Sequence, residues 1–302
     1  MRGTVFSILT ALTLAVAPEA EAHRAAPTRI AIISAFDPEW TTLKSRLHHA
    51  KTQTIDGYDF VTGTLDGKPV VLTLSGVSMV NAAMNTQRLI DHFHPKAIVF
   101  SGIAGGVDPA LHIGDVVVPE AWAQSLESVM ARKTGDSYTP PAWLWGVTGK
   151  LGYGMIVPRG IQVGDAKTPM HETFPADPAL IAVARHIAPD LHLKTCTTAG
   201  VCLDHAPQVV VGGEGVSAPT FVDNADYRAY LAATFHAEAT DMESAAVVQV
   251  AYASHVPVIV FRSLSDLAGG DAGANQMATF MSLASDNSAT VVEAFVAALP
   301  EH

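Results

Sequence analysis

The sequence predicts an α/β fold organised as a single domain. Short apolar strands alternate along the chain with segments whose apolar residues recur at helical spacing, which is typical of α/β rather than all-β architectures. The chain has 302 residues, of which 49% are hydrophobic, and this is enough for a large buried core. We find no internal repeat and no low-complexity segment.

The first half of the chain begins with an apolar strand, after which Asp37 is expected to cap a helix that has Pro38 at its first position. Asp66-Gly67 is a hairpin-turn signal between two strand-like segments. In chain order the predicted elements are a strand at 29–34, a helix from Asp37, hairpin strands at 58–64 and 69–74, a helix at 79–93, a strand at 97–101 that ends in a glycine-rich turn at 102–106, and a strand near 115–119.

Residues 120–178 differ in composition from the rest of the chain. They contain three of the four tryptophans and the pair Pro140-Pro141, and their apolar residues show little periodicity. We interpret them as an elaborated loop inserted in the domain, because long irregular loops tend to be functional or to cover a site. The regular pattern returns after this segment. The elements predicted there are a helix near 178–187, strands around 194–203 and 209–211, helices near 224–235 and 241–254, a strand at 257–264, and a helix from about 286 to 299.

The first 22 residues are typical of an export signal. Arg2 precedes an apolar run from Val5 to Ala17, and Ala20-Glu21-Ala22 is a small-residue cleavage site that makes His23 the expected new N-terminus. A retained membrane anchor is the alternative, but the run is shorter than the roughly 20 residues that a span needs. We therefore expect no stable membrane insertion and a periplasmic or secreted protein, with its domain at 29–302.

Charge and histidine spacing exclude two classes of partner. A formal net charge of −11 without a basic run is poorly suited to binding a nucleic-acid backbone. The thirteen histidines include the neighbours His48-His49 and the pair His92 and His94, whose spacing differs from the i, i+4 spacing of a helical zinc motif. We predict no metal and no nucleic-acid partner.

Only two cysteines occur, Cys196 and Cys202. An export signal makes a disulfide permissible. In an extended chain they would lie about 20 Å apart, which is too far to bridge, whereas a turn around Gly200 would bring them together. A disulfide and two free thiols therefore both remain open. A catalytic thiol is less favoured, because neither cysteine lies in a basic or histidine-rich context.

Three acidic segments that lie far apart in the sequence are the strongest functional signal. They are residues 35–39, 241–243 and 262–266, and each places an acid where a hydrophobic strand ends or a helix begins. Taken singly, each has a structural explanation: the second fits a capping box with Thr240 at the N-cap, and Asp266 could cap a turn. Taken together, acids at the strand ends of an α/β fold are expected to meet at one ligand site.

Several motifs follow one another in an order that is specific in combination, although each is weak alone. They are Ala35-Phe36-Asp37-Pro38-Glu39, Leu74-Ser75-Gly76-Val77, Ser101-Gly102-Ile103-Ala104-Gly105-Gly106, Phe221-Val222-Asp223, Asp241-Met242-Glu243-Ser244-Ala245-Ala246 and Arg262-Ser263-Leu264-Ser265-Asp266. This order resembles the purine nucleoside phosphorylase and nucleosidase superfamily, and within it most resembles the methylthioadenosine/S-adenosylhomocysteine nucleosidases. The resemblance covers about residues 29–119 and 195–299.

The resemblance implies a three-layer fold, with a central twisted mixed β-sheet flanked by helices, that hydrolyses the N-glycosidic bond of a purine nucleoside. Asp266 matches the acid that protonates the leaving purine, Glu39 the residue that activates water, and Glu243 the acceptor of the ribose hydroxyls. It implies a small nucleoside as partner, no cofactor and a homodimer. The other substrate contacts it implies are Met242 under the sugar, Phe221 stacked on the purine, the backbone of Val222 at the purine edge, Phe36 on the ribose 5′ side, and Ile103, Gly105 and Asp241.

Two departures from the family pattern leave other functions open. Asp241 stands where the family usually has glutamate, and residues 120–178 resemble those of longer exported members, which include plant vegetative storage-type proteins. A non-catalytic binding or storage protein is therefore one alternative. A phosphorylase is the other, but it needs a cationic phosphate pocket. Residues 34–39 contain no arginine, and Arg262 is interpreted as structural because it lies in an apolar strand. The absence of a cation near Glu39 thus favours hydrolysis.

Overall fold

The computed structural model describes residues 28–165 and 167–300, so the predicted export signal lies outside the described residues. Within them, twelve of the strands form one mixed sheet at the centre of the domain. The strands are β1 (Ile30–Ser34), β2 (His48–Ile55), β3 (Tyr58–Leu65), β4 (Lys68–Leu74), β5 (Ala97–Gly106), β6 (Val116–Val118), β7 (Ala121–Gln124), β8 (Ser128–Met130), β9 (Arg132–Thr134), β10 (Ser137–Thr139), β11 (Ile156–Pro158), β12 (Ile161–Gln162), β13 (Met170–His171), β14 (Phe174–Pro175), β15 (Val209–Val211), β16 (Glu214–Ser217), β17 (Ala237–Asp241) and β18 (Val258–Asp266). The α-helices are α1 (Asp37–Ser45), α2 (Met79–Phe93), α3 (Pro178–Ile187), α4 (Ala225–Phe235), α5 (Ser244–Ala253) and α6 (Met277–Ala298).

Helices cover both faces of the central sheet, which confirms the predicted three-layer α/β fold. Helices α1, α3 and α6 contribute Trp40, Leu180 and Phe295 to one hydrophobic cluster. Helices α2 and α5 contribute Leu89 and Val247 to a second cluster on the other face. Burial of both faces explains why the central strands are almost continuously apolar rather than alternating. No helix in the described part of the chain is long and apolar enough to cross a bilayer.

Strand β5 organises the site because three strands pair with it. Strand β18 runs parallel to it along residues 98–105, on one edge. On the other edge, β1 pairs in parallel with residues 97–100, while β17 pairs in the antiparallel sense with residues 105–106. The carboxyl ends of β1 and β17 therefore point toward each other across the middle of β5. This arrangement brings residues 35–39 and 241–243 together.

The glycine-rich segment 102–106 belongs to β5, so the predicted turn is wrong. Gly102 pairs with Arg262 of β18, and paired residues in a sheet project on the same face. A Cβ at position 102 would lie 1.8 Å from Nη1 of Arg262 and 2.4 Å from Oε1 of Glu39. The glycine is needed because two other side chains occupy its space.

Residues 194–203 form a loop closed by a disulfide, so the predicted strands there are wrong. Cys196 and Cys202 are bonded to each other, and Gly200 has φ +81° between them. Asn287 of α6 holds the loop: its side chain accepts from the N–H of Lys194 at 2.8 Å and donates to the carbonyl of Lys194 at 3.1 Å. Threonine and valine are typical of strands, but here the covalent bond and these contacts fix a loop.

Several helix starts also differ from the prediction. Helix α5 begins at Ser244 rather than 241, and α6 begins at Met277 rather than about 286. Helix α1 has Phe36 at its N-cap rather than Asp37, and it ends at Ser45 before a strand, β2, that the sequence reasoning missed. Strands β16 and β17 were missed as well.

Residues 121–175 contain eight short strands where an irregular loop was predicted. Strand β7 joins the central sheet by pairing with β16, β14 pairs with β7, and Trp122 is fully buried. The pairs β8–β11, β9–β10 and β12–β13 form three separate two-stranded ribbons. The ends of this segment are thus part of the core. That 120–178 is an insertion relative to compact family members remains a prediction.

Candidate active site

The carboxylates of Glu39, Glu243 and Asp266 line one cavity of about 200 Å³, where the carboxyl ends of β1, β17 and β18 approach one another. Each of the three is nearly inaccessible to solvent, at 2%, 5% and 2% exposure. The structure therefore brings the three acidic segments together, as the sequence predicted. The cavity is lined by Ala35, Phe36, Glu39, Val77, Ile103, Ala104, Phe221, Thr240, Asp241, Met242, Glu243, Ser265, Asp266 and Met277.

Two of the ten residues proposed for the site are not in the cavity wall. Gly105 lies behind Asp266, and a Cβ there would be 3.0 Å from its Oδ1. Val222 is buried beside Phe221, which itself lines the cavity and is 53% exposed. Four apolar wall residues were not proposed: Ala35, Val77, Ala104 and Met277. Val77 follows a predicted strand and could have been found, whereas Met277 lies in a part of α6 that the sequence reasoning left out.

Glu39 is held by backbone donors on two sides. Its Oε2 accepts the N–H groups of Ala35 at 2.7 Å and Phe36 at 3.4 Å, as expected for an acid in a first helical turn. Its Oε1 accepts the N–H of Ile103 at 2.8 Å. Burial raises the pKa of Glu39, while the positive charge of Arg262 and these three hydrogen bonds act in the opposite direction. The carboxylate is fixed in place and poised to take a proton.

Arg262 lies beneath the cavity and connects three of its acids. Its side chain is fully buried, with Nε 2.7 Å from Oδ2 of Asp241, Nη1 3.7 Å from Oε1 of Glu39 and Nη2 3.6 Å from Oε2 of Glu243. Its guanidinium also stacks on Phe100, with Cζ 4.1 Å from the ring centre. A cation therefore does lie next to Glu39, and the sequence argument from its absence is wrong.

Asp241 fixes Arg262 and also starts helix α5. It accepts hydrogen bonds from the hydroxyls of Ser217 and Ser244, and from the backbone N–H groups of Glu243 at 3.2 Å and Ser244 at 3.1 Å. The predicted capping box, with Thr240 at the N-cap, is therefore wrong, because Thr240 lies inside β17 and Asp241 supplies the capping carboxylate. With so many donors, Asp241 is a positioning residue in the cavity wall.

Glu243 lines the cavity, with a backbone donor on one oxygen and Nη2 of Arg262 at 3.6 Å from the other. Its Oε1 accepts the N–H of Ser78 at 2.7 Å, from the loop before α2. Burial, followed by the charge of Asp241, raises the pKa of Glu243 to about 7, although Arg262 and Ser78 act against this. Near neutral pH this carboxyl group can therefore accept hydrogen bonds from a diol or carry a proton.

Asp266 ends β18, and its environment favours the protonated form of its carboxyl group. Its Oδ1 accepts from the N–H of Ala268 at 2.9 Å and from Nδ2 of Asn275 at 3.3 Å, and its Oδ2 accepts from the hydroxyl of Ser265 at 2.9 Å. Burial raises the pKa of Asp266, and those three hydrogen bonds limit the rise. Unlike Glu39 and Glu243, it has no ion pair with Arg262.

Comparison with known proteins agrees with this arrangement. A family model described as the phosphorylase superfamily matches residues 29–297. The chain belongs to this superfamily. The match spans nearly the whole described domain, including all three acidic segments, so the resemblance read from the motifs is confirmed.

Phosphorylase-superfamily relatives of this chain include named nucleosidases. A 5′-methylthioadenosine/S-adenosylhomocysteine nucleosidase of Halalkalibacterium halodurans is 32% identical over 273 residues, which cover 90% of this chain and 99% of the relative. The enzyme of the same name from Psychromonas ingrahamii is 31% identical over 270 residues, covering 89% and 98%. The solved structure of the Colwellia psychrerythraea nucleosidase in complex with adenine superposes with a TM-score of 0.68 at 27% identity, covering 91% of this chain and 96% of that one.

Proposed function

We propose that this phosphorylase-superfamily protein is an N-glycosidic hydrolase that cleaves adenine nucleosides such as 5′-methylthioadenosine or S-adenosylhomocysteine, releasing adenine and the ribose derivative. The observation that carries the proposal is the set of three buried carboxylates, Glu39, Glu243 and Asp266, around one cavity. Relatives that align over almost their whole length carry the name of this activity.

Asp266 supplies the proton for the base. When the bond between C1′ and N9 breaks, its electrons remain on the purine, and a proton donated to N7 neutralises the charge that develops there. Burial raises the pKa of Asp266, which favours the protonated form that this role requires. Exposed Phe221 offers an aromatic face for the purine at the cavity mouth.

Glu243 and Glu39 act on the sugar and on the water. The Oε2 of Glu243 faces the ribose hydroxyls and accepts their hydrogen bonds, while Met242 provides an apolar surface under the ring. Glu39 takes a proton from the water that attacks C1′, so that the hydroxyl group adds to the carbon as the purine leaves. Glu39, Asp241 and Glu243 together carry more negative charge than Arg262 neutralises, which favours an oxocarbenium-like sugar in the transition state.

Hydrolysis is favoured over phosphorolysis by where Arg262 lies rather than by its absence. The guanidinium is fully buried and contacts three carboxylates, so it is not available to a phosphate dianion in the cavity. A phosphate placed beside Glu39 and Glu243 would meet net negative charge. Water carries no net charge, so the carboxylates do not repel it.

We expect the purified protein to release adenine and a free reducing sugar from 5′-methylthioadenosine at the same rate with and without inorganic phosphate. Chromatography of the products and a phosphate titration measure this directly. Formation of a sugar 1-phosphate, with base release that depends on phosphate, would identify a phosphorylase instead. Inosine and uridine serve as control nucleosides that test the preference for adenine.

We also propose that the protein is exported, through residues 1–22, and acts outside the cytoplasm as a homodimer. The bonded pair Cys196–Cys202 supports export, because disulfides persist in oxidising compartments. The homodimer rests on family resemblance. Protein recovered from the periplasm or medium should begin at His23, contain no free thiol before reduction and have a native mass of two chains. A cytoplasmic, full-length, reduced monomer would contradict the proposal.

A further inference from the structure

The loop between β18 and α6 places one amide side chain against the proposed acid. Asn275 donates from Nδ2 to Oδ1 of Asp266 at 3.3 Å and to Oδ1 of Asp223 at 3.2 Å. Its own Oδ1 accepts the N–H of Met277 at 2.9 Å. That third contact fixes which way the amide faces, because an oxygen bound to a backbone donor leaves the NH₂ group directed toward the two carboxylates.

We infer that Asn275 is a positioning residue that sets the orientation and acidity of Asp266. The inference rests on the proposed function, in which Asp266 donates a proton to the purine. Two N–H donors, from Ala268 and Asn275, occupy Oδ1 of Asp266. Among residues 28–165 and 167–300, the hydroxyl of Ser265 is the one donor to Oδ2, and a hydroxyl can also accept a hydrogen bond. The transferable proton therefore resides on Oδ2.

Through its hydrogen bond to Asp266, Asn275 also joins the loop of residues 267–276 to the end of β18. The charged groups near Asp266 are Asp271 on this loop, Asp223 before α4, and Arg228 of α4, whose guanidinium packs against Gly270. Glu39 and Glu243 line the same cavity. A donor to the carboxylate stabilises its ionised form, so Asn275 opposes the rise that burial causes in the pKa of Asp266.

Substitution of Asn275 should therefore move the pH profile in a direction that can be stated in advance. In Asn275→Ala the carboxylate loses a donor, its pKa rises, and the alkaline limb of kcat/KM for adenine release shifts to higher pH. In Asn275→Asp a negative charge replaces the donor, so the shift is larger. The plateau value of kcat/KM should fall about tenfold in Asn275→Ala, the effect of losing one hydrogen bond to a charged group.

Gln276→Ala is the matched control, because the neighbouring amide bonds only to the carbonyl of Ala274 and does not reach Asp266. Its pH profile should coincide with that of the wild type. Asp223→Asn should shift the alkaline limb of kcat/KM in the opposite direction. It removes a negative charge from beside Asn275, so the pKa of Asp266 should fall and the limb should move to lower pH. This variant also provides a test if Asn275→Ala folds poorly, which its thermal melting temperature would reveal.

The inference is overturned if the Asn275 variants lose activity while their alkaline limbs remain at the wild-type position, which is the behaviour of a residue that only closes the loop. It is also overturned if Asn275→Ala and Asn275→Asp shift the limb equally or downward. These results differ from failure of the proposed function, in which the wild-type protein itself would release no adenine.

Discussion

Replacing Asp266 with asparagine is expected to lower kcat for adenine release by about 10²–10⁴-fold, the usual contribution of a general acid. The amide has nearly the same shape and can still hydrogen-bond the purine, but it cannot donate a proton. Adenine binding should therefore persist while turnover is lost. Base release followed in a single turnover, together with a direct measurement of adenine affinity, separates the two effects.

The matched control is Asp66→Asn, the same chemical change at an exposed hairpin turn outside the cavity, which should leave kcat unchanged. The experiment also decides between an enzyme and a binding or storage protein. Equal and slow base release by the wild type and by Asp266→Asn, with adenine bound by both, would assign the fold a non-catalytic role.

Replacing Arg262 with methionine is expected to lower the free energy of unfolding by about 3–5 kcal/mol, the cost of removing one partner from a buried ion pair. Asp241, Glu39 and Glu243 would remain buried without their cation. Burial raises the folded pKa values of Glu39 and Glu243, and without Arg262 its positive charge no longer opposes that rise. The free energy of unfolding of the variant therefore falls as the pH rises and these carboxyl groups lose their protons. Its loss relative to the wild type should be larger at alkaline than at acidic pH.

Chemical denaturation at several pH values measures this effect. Arg46→Met is the matched control, because Arg46 pairs with Glu293 at 2.6 Å in a partly exposed bridge, and loss of such a pair costs no more than about 1 kcal/mol. Equal losses for the two variants would show that Arg262 is not the electrostatic centre of the site.

Sequence reasoning found the acids because their signal is local. Glu39 and Asp266 each lie beside a recognisable apolar strand, and strand ends of an α/β sheet are where ligands bind. Arg262 was read as structural for the same local reason, and its contacts with acids from β17 and α1 could not be seen from its neighbours in the chain. The role of a buried charge depends on its spatial partners.

The elements that were mispredicted depend on distant contacts in the same way. Residues 102–106 have the composition of a turn, yet they are strand because β18 pairs with them along their length. Residues 277–285 were left out of the predicted last helix, but Phe280 and Leu283 are buried and belong to α6. Packing overrode the local signal in both places.

Gly102 restricts how the sequence of this site can change during evolution. Any side chain at position 102 would collide with Nη1 of Arg262 and Oε1 of Glu39. A lineage that acquires a larger residue at position 102 must also replace Arg262 and move or replace Glu39, whereas a lineage that keeps the arginine must keep the glycine. The two positions form one inherited unit, carried on separate strands 160 residues apart along the chain. The conformational freedom of glycine has no part in this linkage, which depends only on occupied space.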